Sequence, residues 1–269
     1  LIGGDGSMIA VGSRGLLRWN GSAWSALPTP SGLRLAEVSG IARTGDAILL
    51  FGASAFAVLL SPSGHTQSLP FADPSLLWLG AFADSNGEIA LVGERRGVAR
   101  AVAAFLHPHR APNIFDVSWA PRLHAITRLG SSGPFIACGD TGALVAISPT
   151  TTAPINWDRT GHLRSICSNA DGASVVGTGG HALFVSGPDA KLEAVETTRD
   201  LACVAPGFDG ATWAVGASGR ILRRERNLWK RIAPDQDFAS NLVSIGATNR
   251  GMLALGQDGS VFELYFSRP

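Results

Sequence analysis

Six side chains that could bind a polar ligand recur along the chain at intervals of about 40 residues, an interval typical of repeat proteins. They are Glu37, Trp78, Arg122, His162, Asp200 and Asn241. Gathered on one surface, these carboxylate, indole, guanidinium, imidazole and amide groups could hold a small polar ligand, a glycan or a loop of a partner protein. Polar residues at loop ends are also common simply because water solvates them, so both interpretations stay open.

A glycine pattern shows how these residues are positioned. Seven glycines, which we call the aligned glycines, each end a short apolar run: Gly12, Gly52, Gly93, Gly139, Gly177, Gly216 and Gly256. A second small residue follows three or four positions later, and another glycine lies five to seven positions earlier. The runs are too short for helices, and two runs joined by a glycine-containing turn predict a β-hairpin.

Each of six repeats also contains a segment with the pattern apolar-x-x-apolar. The copies are Val38–Ile41, Leu79–Phe82, Leu123–Ile126, Leu163–Ile166, Leu201–Val204 and Leu242–Ile245. Their inner positions are mostly small, which suits strands crowded around a central axis. Four short antiparallel strands in each of seven repeats predict an all-β fold, a seven-bladed β-propeller.

The seven repeats together predict one propeller domain spanning residues 1–269. The expected blades are approximately 1–34, 35–75, 76–120, 121–160, 161–198, 199–238 and 239–269. The first repeat lacks most of its inner strand and the last lacks its outer strand, so we predict that the terminal blades are incomplete. We expect residues outside this sequence, or another chain, to supply the missing strands, because exposed strand edges favour pairing.

A family resemblance rests on the segment Asp209–Gly216, reading DGATWAVG, followed by Gly219, Leu222 and Trp229. This unit resembles the degenerate Asp-box (BNR-type) propellers, and especially the propellers similar to the photosystem II stability and assembly factor. The resemblance implies a β-propeller over the whole chain. The full Asp-box pattern S-x-D-x-G-x-x-W is matched in no copy, which argues against kinship with sialidases.

The third repeat is the longest, and its extra residues fall within Leu106–Pro121. Insertions in repeat proteins map to loops and often to the binding face, so we predict a loop that contacts a protein partner. Its candidate contact residues are His107, His109, Arg110, Phe115 and Trp119. Two histidines two positions apart without further ligands do not predict a metal site.

A basic cluster lies in the sixth repeat, where Arg223, Arg224, Arg226 and Lys230 are predicted to lie on outer strands. Such an edge could hold an acidic partner, or it could be a solvated edge that blocks association between sheets. The chain's net charge is +1, which provides no global field for nucleic acid, so a nucleic-acid partner is not expected.

Composition bears on the compartment. No stretch approaches the roughly 18 apolar residues that a membrane span needs. Cys138, Cys167 and Cys203 each lie in an apolar run, which predicts buried free thiols and favours a reducing compartment such as the cytoplasm. The sequence begins at Leu1 without an initiator Met, so an exported form stays open.

No catalytic constellation is evident in the sequence. A sialidase-like site would need an arginine cluster, carboxylates and a tyrosine nucleophile, and the chain has one tyrosine, Tyr265. Our leading hypothesis is therefore a non-enzymatic interaction or assembly module without a cofactor, which binds a protein through the loop face and the third-blade insertion. The alternative is a module that binds a glycan or small ligand at the channel mouth. A glycoside hydrolase that uses Arg122, Arg164, Glu37 and Asp200 comes third.

Overall fold

The strands assemble into seven sheets, or blades, in a computed structural model that describes residues 2–3, 7–12, 14–29, 33–84, 86–107, 111–157, 161–232 and 240–265. Blade 1 contains β1 (Ile2–Gly3), β2 (Met8–Gly12), β3 (Gly15–Trp19) and β4 (Trp24–Leu27). Blade 2 contains β5 (Val38–Thr44), β6 (Ala47–Gly52), β7 (Ala57–Leu60) and β8 (Thr66–Ser68). Blade 3 contains β9 (Leu76–Ala83), β10 (Ile89–Arg95), β11 (Arg100–Leu106) and β12 (Asn113–Val117).

The second half of the chain repeats this plan. Blade 4 contains β13 (Leu123–Arg128), β14 (Phe135–Gly139), β15 (Leu144–Ile147) and β16 (Thr152–Pro154). Blade 5 contains β17 (Leu163–Asn169), β18 (Gly172–Gly177), β19 (Ala182–Ser186) and β20 (Asp189–Leu192). Blade 6 contains β21 (Ala194–Val195), β22 (Leu201–Pro206), β23 (Thr212–Gly216), β24 (Ile221–Glu225) and β25 (Leu228–Arg231). Blade 7 contains β26 (Leu242–Ala247), β27 (Gly251–Gly256) and β28 (Val261–Tyr265).

The blades form a closed ring. Their inner strands β1, β5, β9, β13, β17, β22 and β26 lie next to one another in this order, and β26 contacts β1. The predicted seven-bladed β-propeller is therefore confirmed. Blade 1 has all four strands, although its inner strand β1 has two residues, and blade 7 has three strands within the described residues.

The aligned glycines allow the hairpin of each blade to pass close to its inner strand. The inner strand β13 contains a β-bulge between Leu123 and Ala125. A Cβ atom at Gly139 would lie 1.9 Å from the carbonyl oxygen of Arg122. The next residue, Asp140, donates its backbone N–H to this same oxygen at 3.1 Å. The residue after the aligned glycine makes the same bond in blades 2, 5, 6 and 7. In these blades the hairpin turn and the residue before the inner strand therefore share one end of the propeller, which we call the loop face.

The contact between two neighbouring blades, which we call a seam, is filled by apolar side chains. In seam 3–4 the Phe135 ring lies 5.4 Å from that of Phe82 and 5.0 Å from that of Phe105. At the end opposite the loop face, the base face, polar bonds add to this packing. One joins Arg128 of blade 4 to Glu88 of blade 3 at 2.6 Å.

The prediction that Leu106–Pro121 forms a loop is largely wrong, because the second half of this segment contains the outer strand β12. Phe115 and Val117 point inward while Ile114 and Asp116 are more exposed, and this two-residue alternation is the signature of a half-buried strand. Phe115 stacks on Phe105 with 6.0 Å between the ring centroids, so it is a packing residue rather than a partner contact.

Other residues of this segment remain candidates. His107 follows β11 and is half-buried, and Trp119 is exposed in the turn after β12. His109 and Arg110 lie outside the described residues. The three thiols are free, with Cys138 and Cys167 buried and Cys203 half-buried; burial raises the pKa of the Cys167 thiol to about 12.

Candidate functional site

Four of the predicted channel-mouth residues join neighbouring blades. Each precedes an inner strand and contacts the preceding blade, at the hairpin turn in three cases and, for Arg122, at Glu94 near the end of β10. The pairs are Arg122 with Glu94, His162 with Asp140, Asp200 with the N–H of Gly179, and Asn241 with the N–H of Ser218. The four side chains differ in type because each bonds a different group of the preceding blade, a carboxylate in two cases and a backbone N–H in two.

The two remaining channel-mouth candidates behave differently. Glu37 is held by Arg34, with 2.9 Å between Oε1 and Nη1. Trp78 is fully buried and its ring lies 5.0 Å from that of Phe71, so the prediction that Trp78 lines the channel mouth is wrong. Trp78 pairs with Gly93 inside the inner strand β9, two residues after the first residue of that strand, Leu76. The predicted start of this strand at Leu79 is therefore three residues too late.

The contacts that join blades 3, 4 and 5 form one network centred on Asp140. The Oδ1 atom of Asp140 accepts hydrogen bonds from His124 Nε2 and His162 Nδ1, both at 2.7 Å. Arg122 Nε donates to Glu94 Oε2 at 2.7 Å, and Arg122 Nη1 lies 3.8 Å from Asp140 Oδ2. Sequence reasoning placed these residues on one face but missed their pairing. The pairing could have been predicted from the sequence, because an acidic residue follows the aligned glycine of one blade and a basic residue precedes the next inner strand.

Local electrostatics shift two pKa values in this network. Burial lowers the pKa of His124, the bond to Asp140 partly opposes this shift, and the charges of Arg164 and Arg122 reinforce it. Burial alone would raise the pKa of Asp140, but the hydrogen bonds and charges of His124 and His162 outweigh burial and lower it. His124 is therefore a neutral imidazole near pH 7 and Asp140 is ionised.

The acids of the network are recessed, whereas the Arg122 and His162 side chains point outward. The Glu94 and Asp140 side chains are 12% and 18% exposed, whereas those of Arg122 and His162 are 40% and 47% exposed. Arg164, one residue inside β17, is also exposed. Among the described residues, no carboxylate lies within ion-pair distance of Arg164. The outer layer of this surface therefore consists of the Arg122, His162 and Arg164 side chains.

An exposed apolar pair adjoins this surface at the corner of blade 3. Val98 is 57% exposed and Trp119 is 45% exposed. Their turns are neighbours, because the N–H of Ala101 donates to the carbonyl of Ala120 at 2.9 Å. Arg96 is exposed in the same turn as Val98, so two neighbouring turns carry an exposed aromatic ring, an aliphatic side chain and a guanidinium.

The predicted basic edge on blade 6 is largely neutralised. Arg224 contacts Glu193 at 2.5 Å, Arg223 contacts Asp209 at 2.9 Å, and Lys230 contacts Glu225 at 2.7 Å. The hypothesis of a broad cationic edge is therefore wrong for Arg223, Arg224 and Lys230. Two of the acids come from distant parts of the sequence, so the fold alone brings them close. Arg226 is exposed in the turn between β24 and β25.

Comparison with known proteins shows the fold and no family. No protein-family model and no curated protein matches the chain. Virginiamycin B lyase from Staphylococcus aureus is similar in structure, with a TM-score of 0.79 and 12% identity over 98% of this chain and 96% of that chain. A catalytically inactive variant of that lyase with quinupristin has a TM-score of 0.75 and 14% identity over 94% and 92%. YCF48 bound to D1 peptide has a TM-score of 0.60 and 13% identity over 84% and 77%. At such identities these similarities indicate a shared β-propeller fold alone.

Within the described ranges, no group of three or more His, Cys, Asp or Glu side chains has an arrangement that could hold a metal ion. In the same ranges, no helix has the length and apolar character that crossing a membrane requires.

Proposed function

We propose that this chain is a protein-binding module that acts through its loop face over blades 3 to 5. The contact surface comprises Arg96, Val98, Trp119, Arg122 and Arg164, which we call the blade 3–5 face. One observation carries the proposal, the exposed Trp119 beside exposed arginines. Tryptophan and arginine are enriched among the residues that dominate binding energy at protein interfaces.

The chemistry of this face favours one kind of partner segment. Arginine guanidinium groups bind carboxylates through two parallel hydrogen bonds. Trp119 and Val98 provide an apolar contact beside them. We therefore expect a segment with an apolar side chain flanked by Asp or Glu. The recessed Glu94 holds Arg122 in place before binding, which lowers the entropic cost of association.

A small polar ligand or glycan at the channel mouth is the second candidate. The neutral His124 imidazole and the exposed His162 could bind hydroxyl groups, which supports this alternative. The sialidase-like alternative gains no such support, because its two carboxylates already have other partners. Asp200 accepts a hydrogen bond from the N–H of Gly179 between two blades, and Glu37 pairs with Arg34. Kinship with Asp-box propellers also remains a proposal.

We further propose that the module acts without catalysis. The structural similarity to virginiamycin B lyase calls for a direct test. The purified chain is incubated with quinupristin, and the products are followed by mass spectrometry. Unchanged quinupristin is the expected result, and turnover beyond that of a heat-denatured sample would contradict the proposal.

The binding proposal is tested with immobilised chain and a lysate of the source cells. Captured proteins are identified by mass spectrometry, and a recovered partner is then purified and titrated against variants. Trp119→Ala and Arg164→Glu are expected to raise Kd at least about tenfold, the effect of losing a dominant contact. The controls Leu192→Ala and Arg226→Glu change exposed residues on blades 5 and 6 and should alter Kd less than about twofold. Equal losses in the controls and the face variants would contradict the proposal.

A further inference from the structure

A second candidate site lies on the opposite end of the propeller, where seam 1–2 opens into a cleft of about 500 Å³. This volume lies within the range of small-molecule sites. Ile9 and Arg18 are cross-strand partners on one wall. Arg43, Ile48 and Leu60 lie side by side across β5, β6 and β7 on the other wall. The cleft therefore has an apolar middle and an arginine on each wall.

Comparison with seam 3–4 explains why seam 1–2 is open. Strand register makes Phe105 the counterpart of Arg18, since Phe105 pairs with Ala90 as Arg18 pairs with Ile9. Phe135 is likewise the counterpart of Ile48, because each lies four residues before the aligned glycine of its blade. The two phenylalanine rings contact each other and fill seam 3–4. An arginine and a smaller isoleucine at these positions leave space in seam 1–2.

The charge balance of the two seams also differs. In seam 3–4, Arg128 pairs with Glu88. Arg43 is the counterpart of Arg128, and at the position of Glu88 seam 1–2 has the hydroxyl of Ser7 in place of a carboxylate. Among the described residues that line the cleft, Asp46 is the one carboxylate and it is exposed.

Arg18 is the cation best placed to meet a ligand. Its side chain is exposed at the cleft, and no carboxylate among the described residues lies within ion-pair distance of it. Arg43 also lines the cleft, and its Nε donates to the carbonyl of Gly45 at 3.1 Å. The exposed Arg18 guanidinium therefore makes its wall of the cleft complementary to an anion.

We infer that the cleft binds a small amphipathic carboxylate, with its apolar body against Ile9, Ile48 and Leu60 and its carboxylate on Arg18. Burying the apolar body removes hydrocarbon surface from water, and the arginine fork matches the carboxylate. This site is independent of the blade 3–5 face, so either proposal can fail without the other.

Decanoate is the test ligand and 8-anilinonaphthalene-1-sulfonate is the fluorescent probe. The wild-type chain is expected to bind the probe saturably and to release it to decanoate. Decanol, which has the same number of carbons without the charge, should compete at least about tenfold more weakly, since a charged hydrogen bond contributes about 1.5–3 kcal/mol. No saturable binding, or equal competition by decanol, would overturn the inference.

Variants locate the binding site. Ile48→Phe places in seam 1–2 the phenylalanine that seam 3–4 has at the equivalent position. This change should fill the cleft and abolish decanoate binding. Arg18→Gln should weaken decanoate about tenfold and leave decanol unchanged. Arg226→Gln and the face variant Arg164→Glu are controls that should bind decanoate as the wild type does. If Ile48→Phe does not fold, Arg18→Phe serves as the filling variant. Decanoate binding that survives filling in a folded variant overturns the inference.

Discussion

At the scale of single residues, the aligned glycines are required by backbone contact in most blades but not in all. At Gly52, Gly177 and Gly216, as at Gly139, a Cβ atom would overlap the carbonyl oxygen of the residue before the inner strand. At Gly12, no atom of the described residues lies within 4 Å of the same Cβ position. One sequence position therefore carries different steric demands in different blades.

This contrast gives a matched pair of substitutions. Gly139→Ala is expected to reduce the free energy of unfolding by about 3 kcal/mol, because the backbone of the inner strand must move to relieve the overlap. Gly12→Ala should change it by less than about 1 kcal/mol. Urea unfolding followed by tryptophan fluorescence measures both. Similar losses in the two variants would contradict the steric explanation.

A second residue-scale prediction concerns the pH dependence of stability. Since burial lowers the pKa of His124 from its usual 6.5, the unfolded chain binds this proton more tightly than the folded chain. The stability associated with His124 is therefore complete above pH 6.5 and decreases as pH falls from there towards the folded pKa. Between pH 7.5 and pH 5.5, the wild type should lose more stability in urea than His124→Gln.

Asp140 does not interfere with this comparison. Its pKa is lowered from 3.8, so its stabilisation is present above that value and is lost only as pH falls through the lower folded pKa. His65→Gln, a change in an exposed loop of blade 2, is the control and should retain the wild-type pH dependence. A His124→Gln variant with an unchanged dependence would show that another group titrates in this range.

At the scale of elements, the outer edge of blade 6 is held by one buried carboxylate. Glu193 lies between blades 5 and 6, and its Oε2 accepts hydrogen bonds from Trp229 Nε1 and Arg224 Nε, both at 2.8 Å. The Arg224 guanidinium also lies 4.2 Å from the centre of the Phe184 ring of blade 5. This contact ties β24 and β25 to the neighbouring blade and leaves little of the predicted cationic surface.

We expect Glu193→Gln to reduce the free energy of unfolding by about 3 kcal/mol, because it leaves the Arg224 charge poorly compensated in a buried position. Glu225→Gln removes the carboxylate that pairs with Lys230 at the surface of the same blade. That change should leave the unfolding midpoint nearly unchanged, since exposed ion pairs contribute little. Guanidinium unfolding compares the two variants, and equal effects would refute the distinction.

At the scale of the whole molecule, the ring is unevenly packed. The strands β2 and β3 of blade 1 contain mostly partly exposed residues, whereas β10 and β11 of blade 3 are almost entirely buried. Seam 3–4 is filled by aromatic rings and seam 1–2 contains the cleft. Blade 1 should therefore open locally more readily than blade 3.

Hydrogen–deuterium exchange followed by mass spectrometry tests this gradient. Peptides covering β2 and β3 are expected to exchange faster than peptides covering β10 and β11, because local opening is easiest where few apolar contacts must be broken. Ile48→Phe should slow exchange in blade 1 by filling the neighbouring seam. Equal protection of blades 1 and 3 would contradict an uneven ring.

Much of the fold was predictable from local patterns. Most of the aligned glycines mark positions where a backbone oxygen excludes a side chain, and this constraint acts within one blade. The alternation of buried and exposed residues sets the strands in the same local way. The errors at Trp78 and in the third-blade segment are also local, since each came from a misread register or a missed alternation.

The sequence alone determined the number of blades, the all-β architecture and the end of the propeller on which Arg122, His162, Asp200 and Asn241 lie. Tertiary structure decided what these residues contact: Asp140 gathers two imidazoles, and Glu193 neutralises Arg224. It also decided where the cleft opens, because the cleft depends on how two neighbouring blades fill their shared space. Periodicity reports which face a residue occupies, whereas charge pairing and cavity formation depend on distances between residues far apart in the chain.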